Sequence, residues 1–304
     1  MIAGFGILPE LYFLRKEIFY MGTRQRRGLV DFFSYFVLVT WALILAFPLY
    51  WVSVASVKNQ MDFAVRATYL PFFDFMPSTH GWHYLFVERL DWFMKPFMNS
   101  VVISLTSAVI AVLIGSAAGY ALARFSFGRH NNSIVLGFMA QRMFPVALFI
   151  LPFLLAFSKL KILDTRLALI IVYVSSAVPF VVWVMRDFFE GLPIEIEESA
   201  MIDGASRLII IGRIAMPLAA PGLVAIFILC LIGAWNEYLF ALSLTFSKAI
   251  TIPLFMSMQV TAIGYTAWWN MAVIALVSIV PCMIAGMALE KYITGGLTYG
   301  ALKG

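Results

Sequence analysis

Five long stretches of this chain contain no Asp, Glu, Lys or Arg, and they decide the solvent in which it folds. They cover residues 32–57, 96–123, 167–185, 214–236 and 249–289. A helix rises about 1.5 Å per residue, so about 20 apolar residues cross the hydrocarbon core of a bilayer. Hydrophobic residues make up 62% of the chain and charged residues only 12%, against about 25% charged in an ordinary soluble domain. We therefore expect lipid to cover part of the surface.

A sixth apolar run extends over 131–157 and is interrupted only by Arg142. Pro253, Gly264 and a Trp pair break the start of the last stretch, so we place its helix at about 267–289. The pattern predicts an all-α membrane protein with six transmembrane helices. About 30 residues precede the first run and no small-residue cleavage site follows it, which is typical of a span and not of a cleaved signal peptide.

Basic residues predict the orientation. Five of them precede the first span, namely Arg15, Lys16, Arg24, Arg26 and Arg27. Cytoplasmic segments carry an excess of Lys and Arg, and the cluster before the first helix usually dominates. An even number of spans puts both termini on one side, so we predict both termini and segment 187–213 in the cytoplasm. The net charge is +5 and the basic residues are spread along the chain, which argues against a nucleic-acid partner.

One polar segment, residues 191–217, interrupts the apolar pattern between the fourth and fifth spans. Pro193 ends the fourth helix, and the carboxylates after it favour the start of a short helix. Gly204 permits a turn that a residue with a Cβ would resist, and a second short helix at about 205–213 leads to Pro217. Helix connections usually take about 2–8 residues, so this long segment is either a knob for a soluble partner or a solvated connector.

The same segment resembles the EAA loop of ABC importer permeases. Glu198-Ser199-Ala200 is followed after three residues by Gly204, and after nine more by Ile214-Ala215-Met216-Pro217. Ser199 stands where that family has Ala, and Met216 where it has Leu. Residues 235–242 resemble the fifth-helix signature of the carbohydrate-uptake branch, 296–304 resemble the tail of its MalG-type subunits, and Asn99-Ser100 also fits. The resemblance covers 95–304 firmly and 30–94 in general plan.

The resemblance implies a type I ABC importer permease in a bacterial inner membrane, carrying a sugar or sugar derivative. It implies the following organisation: a cytoplasmic segment 1–30, a first span 31–57, a periplasmic loop 58–95, the type I transmembrane domain 96–290 with coupling loop 191–217, and a cytoplasmic tail 291–304. Other solutes (a polyol, glycerol phosphate or an acidic sugar) and an ion-coupled secondary transporter are the alternatives.

The implied partners are a second permease in a heterodimer, two ATPase subunits, an extracytoplasmic solute-binding protein, the sugar and membrane lipid. ATP and Mg would bind the ATPase subunits, and no cofactor or metal is expected on this chain. It has no GxxxxGK[ST] phosphate loop and no HExxH or GxSxG motif, so we do not expect an enzyme.

The resemblance assigns the ATPase contact to loop 191–217. The candidate coupling residues are Glu197, Glu198, Ser199, Ala200, Asp203, Gly204, Ala205 and Pro217. Glu198 and Asp203 would orient the loop or hydrogen-bond its partner, Ala200 would allow close approach, and Gly204 would supply the turn.

Arg142 lies about 11 residues into its span, near the bilayer centre. A charge there costs at least about 2.5 kcal/mol, so it must face protein or a water-filled cavity. Two interpretations stay open, for it and for Gln141: binding an anionic or polyhydroxylated solute in the pathway, or pairing with the second permease. Asn236 and Glu237 are the other candidate pathway residues. We place Glu237 several turns into the fifth helix, where it pairs across helices or lines the outer vestibule.

Overall fold

A computed structural model describes residues 23–64, 68–125, 131–259 and 267–300, and within them the chain is built from helices. In chain order they are α1 (Thr23–Ser56), α2 (Gln60–Ala64), α3 (His80–His83), the π-helical turn π1 (Tyr84–Glu88), α4 (Leu90–Arg124), α5 (Asn131–Met143), α6 (Ala147–Lys159), α7 (Arg166–Glu190), α8 (Ile194–Ile202), α9 (Arg207–Ile210), the π-helical turn π2 (Ile211–Ala215), α10 (Met216–Leu218), α11 (Ala220–Trp235), α12 (Leu239–Leu244), α13 (Ile252–Ser257) and α14 (Trp268–Gly300). The first 22 residues of the predicted segment 1–30 lie outside the described residues.

Six membrane crossings account for the described helices when each bent pair is counted once. Four helices are long and apolar enough to span by themselves, over Val30–Ser56, Leu90–Arg124, Arg166–Glu190 and Trp268–Glu290. Two more spans are helix pairs, Ser133–Met143 with Ala147–Lys159 and Arg207–Leu218 with Ala220–Trp235. This agrees with the predicted all-α fold and its six spans.

The third and fifth spans each contain a sharp bend. The third breaks by 92° between α5 and α6, and the fifth bends by 79° where α10 meets α11. Phe144-Pro145 lies in the first break, where Pro removes a backbone donor and disfavours helical geometry in the residue before it. The second short helix of loop 191–217 runs on from Arg207 through π2 and α10 to Leu218, past its predicted end at 213, and the apolar crossing itself is α11, beyond the bend.

The last helix is longer than the sequence indicated. α14 continues through residues 291–300, so most of the predicted tail 291–304 extends the helix. At the other edge of the bundle, α1 lies against α14. None of the most apolar window of α1 is buried within this chain. Its side chains therefore face lipid or another subunit.

Helices α4 and α7 form the centre of the bundle. They approach so closely that a Cβ on Gly115 would lie 2.5 Å from Cβ of Val181, and one on Gly119 would lie 2.9 Å from the backbone nitrogen of Arg186. Small residues allow such approach in membranes, where packing and not water exclusion drives helix association. α5 and α11 pack on this pair.

A buried lysine stabilises the end of the bundle that lies opposite loop 191–217. Lys58 is 3% exposed and donates to the carbonyl oxygen of Thr68 over 2.5 Å. Its ammonium lies 5.0 Å from the ring centroid of Trp51, 5.3 Å from that of Phe63 and 5.2 Å from that of Phe75. Aromatic faces attract a cation, so these contacts tie the end of α1 to the loop that follows it.

Replacing Gly115 by Ala tests the central packing. We expect it to lower the stability of the purified protein by about 1–3 kcal/mol, since an added methyl group overfills a tight contact. Gly137→Ala is the matched control, because a Cβ at Gly137 meets nothing within 4 Å. Thermal unfolding in detergent measures both variants, and equal melting temperatures would contradict the inferred contact.

Candidate functional site

Loop 191–217 folds as two short helices joined by a left-handed turn. α8 is followed by Gly204 with φ +83°, and the amide of Ala205 donates to the carbonyl oxygen of Ala200 over 2.9 Å. Positive φ is a conformation that glycine adopts without steric penalty. The predicted helix, turn and second helix are thus confirmed, and the loop is a bent, hydrogen-bonded unit.

A buried carboxylate fastens this unit to the bundle. Glu197 is 1% exposed; its Oε2 accepts from the Tyr120 hydroxyl over 2.6 Å and its Oε1 from Nε of Arg124 over 2.8 Å. Arg124 Nη2 also donates to the carbonyl oxygen of Leu192 over 3.1 Å. Ion pairs hidden from water hold only when the geometry is good and further hydrogen bonds are made, as they are here. The first turn of α8 is therefore locked to the end of α4.

The other side of the loop is open and apolar. Ile202 is 87% exposed and Leu208 is 82% exposed. Exposed apolar side chains on a polar, extramembrane unit are typical of a docking surface. The unit is anchored on one face by Glu197 and free on the opposite face.

The remaining predicted coupling residues fall into two groups. Glu198 and Asp203 are exposed, and no hydrogen bond or ion pair links their side chains to another described residue, so they are available to a partner. Ser199 donates to the carbonyl oxygen of Glu195 over 2.7 Å within α8. Pro217 is exposed in α10, while Ala200 and Ala205 are half-buried at the turn.

Sequence reasoning missed Tyr120 and Arg124, which hold the loop. Their spacing of four places them on one face of α4, at the last turn before the helix ends at Arg124. A hydroxyl and a guanidinium on one face at the end of a span were the available signal. Which acid they bind could not be read from the chain, because Glu197 is 73 residues beyond Arg124.

Within the membrane-spanning region, Arg142 and Glu237 line one cavity of about 230 Å³. Glu237 lies beyond the end of α11 at Trp235, so the prediction that it sits several turns into that helix is wrong. Its carboxylate accepts from the Tyr173 hydroxyl over 2.8 Å and from the amides of Phe240 and Ala241 over 2.8 and 3.2 Å. Glu237 thus links α7 to the start of α12.

The other candidate pathway residues stand apart from this cavity. Gln141 is exposed. Asn236 caps the end of α11 by donating to the carbonyl oxygen of Ile232 over 2.9 Å. Among the described residues, no three His, Cys, Asp or Glu side chains are grouped as a metal ion requires.

At the opposite end of the bundle, Asp164 organises a second loop. Its carboxylate accepts from the amides of Phe246, Ser247 and Lys248 at 2.9–3.0 Å and from the Ser247 hydroxyl at 2.9 Å. Burial raises the pKa of the Asp164 carboxyl, but the hydrogen bonds from the backbone and hydroxyl outweigh it, and that pKa lies well below its ordinary value. Asp164 therefore holds residues 246–249 in place as an anion.

The start of α4 holds the same loop from the other side. Asn99 Nδ2 donates to the carbonyl oxygens of Lys248 and Ile250 over 3.0 and 2.9 Å, while its Oδ1 accepts from Nε of Arg166 over 2.7 Å. Ser100 Oγ accepts from the amide of Ile252 over 2.8 Å. Asn99-Ser100 thus connects α4 to the segment between α12 and α13.

A known protein family matches most of this chain. Residues 111–298 match the family described as "Binding-protein-dependent transport system inner membrane component". The chain belongs to that family. This permease is therefore a multi-pass inner-membrane protein and the transport subunit of an ABC importer, whose ATPase is a separate subunit.

Individual relatives align along nearly the whole permease. It is 34% identical to the inner membrane ABC transporter permease protein YcjP of Escherichia coli (strain K12), over 92% of this chain and 99% of that one. It is 32% identical to the trehalose/maltose transport system permease protein MalG of Thermococcus litoralis, over 86% and 93%. A chain of a bacterial ABC transporter that imports the acidic polysaccharide alginate has the same fold, with a TM-score of 0.73 and 22% identity over 90% and 99%.

Removing the Glu197 charge tests the buried anchor. Glu197→Gln leaves the Arg124 guanidinium, with 6% of its side chain exposed, without its anion, and we expect a loss of about 3–5 kcal/mol of stability. Glu198→Gln, next to it and exposed, is the control and is expected to change stability by less than about 0.5 kcal/mol. Thermal unfolding of the purified permease measures both. Similar shifts for the two variants would refute the anchor.

A pH series tests Asp164. Because its folded-state pKa is depressed, its stabilisation is present above the unfolded-state pKa of about 3.9 and is lost as pH falls through the folded-state pKa. We expect Asp164→Asn to lower the melting temperature at pH 5–8 and the gap from the parent protein to shrink below about pH 4. Asp203→Asn, at an exposed acid, is the control. A gap that widens on acidification would contradict the assignment.

Proposed function

We propose that the permease carries a sugar or sugar derivative through a pathway that it forms with a second, different permease subunit. Similar proteins support this class of solute, since one is a trehalose/maltose permease and another belongs to an alginate importer. The cavity beside Arg142 supports it too, because hydroxyl, guanidinium and carboxylate groups line it together with aromatic and aliphatic side chains. Family membership gives no support to the ion-coupled alternative.

Loop 191–217 is proposed as the coupling element that docks on an ATPase subunit. The observation that carries this role is the contrast between its two faces: Glu197 is 1% exposed and Ile202 is 87% exposed. The exposed pair Ile202 and Leu208 would enter an apolar cleft, with Glu198 and Asp203 at its rim. Ala200, Ala205 and Pro217 would shape the contact, and Ser199 would stiffen α8.

The partners follow from this placement. The loop and both termini would face the cytoplasm, where two ATPase subunits bind ATP and Mg. The opposite end, with Lys58 and the Asp164 loop, would face an extracytoplasmic solute-binding protein. Lipid would cover α1, whose apolar window is unburied within the chain.

Transport is then proposed to work by rigid-body motion. Closure of the ATPase pair would move the docked loop, and the Glu197–Arg124 ion pair would pass this displacement to α4. α4 is packed tightly against α7 through Gly115 and Gly119, so the two helices would move together. A packed pair shifts between discrete arrangements, which can open one face of the pathway while closing the other.

Changing the turn in the loop tests coupling. Gly204→Val forces a β-branched residue to φ +83°, a conformation that such residues rarely adopt. We expect the complex to assemble in the membrane while sugar import falls by about tenfold or more. Gly212→Val is the matched control, since Gly212 lies in the same loop, a Cβ there also meets nothing within 4 Å, and its φ is not positive.

Uptake of labelled sugar by cells measures import, and co-purification of the ATPase measures assembly. Normal import by Gly204→Val would refute the coupling role. An equal loss in Gly212→Val would mean that any added bulk in the loop is harmful and that the turn has no special part.

A further inference from the structure

Arg142 lies at the break in the third span with its hydrogen-bonding groups unused. It occupies the last turn of α5, directly before the 92° break that separates α5 from α6. Its guanidinium lies 4.8 Å from the ring centroid of Phe180. Arg142 makes no hydrogen bond or ion pair to another described residue, and it is exposed in the isolated subunit.

The cavity next to Arg142 holds a second unused polar group. Ser107 lines the same space of about 230 Å³ and is 2% exposed. Its Oγ has no hydrogen-bond partner among the described residues. Buried hydroxyls nearly always have a partner, so the site is prepared for a polar ligand. The volume holds several waters or one sugar residue.

The formal charges of Arg142 and Glu237 balance, but the unused hydrogen-bonding groups of the cavity favour an anion. Glu237 also lines it, but both of its carboxylate oxygens are already occupied by Tyr173, Phe240 and Ala241. The 13-residue helix α6 begins at Ala147, beside the cavity-lining Val146, and no side chain caps that end. A helix N-terminus carries partial positive charge. The free groups are therefore the donors of Arg142, the Ser107 hydroxyl and a positive helix end.

We propose that this cavity is a subsite for an acidic saccharide on the transport path, with Arg142 binding the carboxylate or sulfonate and Ser107 binding a hydroxyl. The planar guanidinium can pair with such a group through two parallel hydrogen bonds. The subsite rests on the proposed function of sugar transport, and it adds that the transported sugar is negatively charged. An acid of the second permease is the competing partner for Arg142, and the test separates the two.

Binding to the intact importer, purified with its partner permease and ATPase subunits in lipid nanodiscs, tests the subsite without the solute-binding protein. The probes are digalacturonate and the neutral disaccharide cellobiose, titrated by calorimetry. We expect the parent complex to prefer digalacturonate. Arg142→Gln is expected to weaken digalacturonate binding by about tenfold or more while changing cellobiose binding by less than about twofold. Arg142→Lys keeps the charge but loses the two-bond geometry, and we expect an intermediate loss.

Lys159→Gln is the matched control, because it removes one positive charge from an exposed position at the far end of the same broken span. Its digalacturonate affinity is expected to equal that of the parent. The subsite is refuted if the parent does not prefer digalacturonate, if Arg142→Gln leaves that affinity unchanged, or if Lys159→Gln weakens it equally. Release of the second permease from the Arg142→Gln complex would assign Arg142 to an intersubunit ion pair and also refute it.

Failure of the subsite is distinguishable from failure of the proposed function. A complex that imports neutral sugars in cells but binds digalacturonate no better than cellobiose refutes the subsite alone. A complex that imports no sugar, in cells where its subunits assemble, refutes the proposed function.

Discussion

The buried ion pair between Glu197 and Arg124 is the contact on which the rest of the structure depends. It joins a polar surface loop to the last turn of α4, with the Tyr120 hydroxyl as a third member. Ala215 packs the second helix of the loop into the apolar core, whereas this ion pair fastens the first helix. Each partner of the ion pair compensates the charge of the other away from water. Removing either partner would therefore leave an uncompensated buried charge, which is strongly destabilising. The loop is consequently fixed on one face, and this leaves Ile202 and Leu208 exposed on the other.

The two ends of the bundle are held by the same chemistry. At the loop end a carboxylate accepts from a tyrosine and an arginine; at the opposite end Asp164 accepts from three successive backbone amides. Helix α4 contributes to both, through Arg124 at one end and Asn99 at the other. Between them, Gly115 and Gly119 allow α4 to pack closely against α7. In the proposed coupling, this closely packed helix pair would carry a displacement of the loop to the far side of the bundle.

Much of this could be predicted from the sequence. Charge-free runs gave the six crossings, and Pro193, Gly204 and the acidic residues between them gave the short helix and its turn. The bends in the third and fifth spans were harder to predict. A bent span is as hydrophobic as a straight one, and Pro145 and Pro217 have no distinctive effect on the apolar composition. Glu237 was misplaced for the same reason, since nothing in the apolar run marks Trp235 as the last helical residue. Glu197 and Glu198 are adjacent and chemically alike, and only the tertiary structure distinguishes the buried one from the exposed one.

The sequence by itself determined the solvent, the number of crossings and the family, because these follow from local composition and from spacing along a few tens of residues. Orientation of the termini stays a prediction on the same basis. Tertiary structure decided which acid anchors loop 191–217 and which acid holds residues 246–249. It also decided that Arg142, Ser107 and Glu237 share one cavity. Those pairings join residues far apart in the chain, and their partners depend on how closely α4 and α7 approach. A charge pattern in one dimension does not specify that distance.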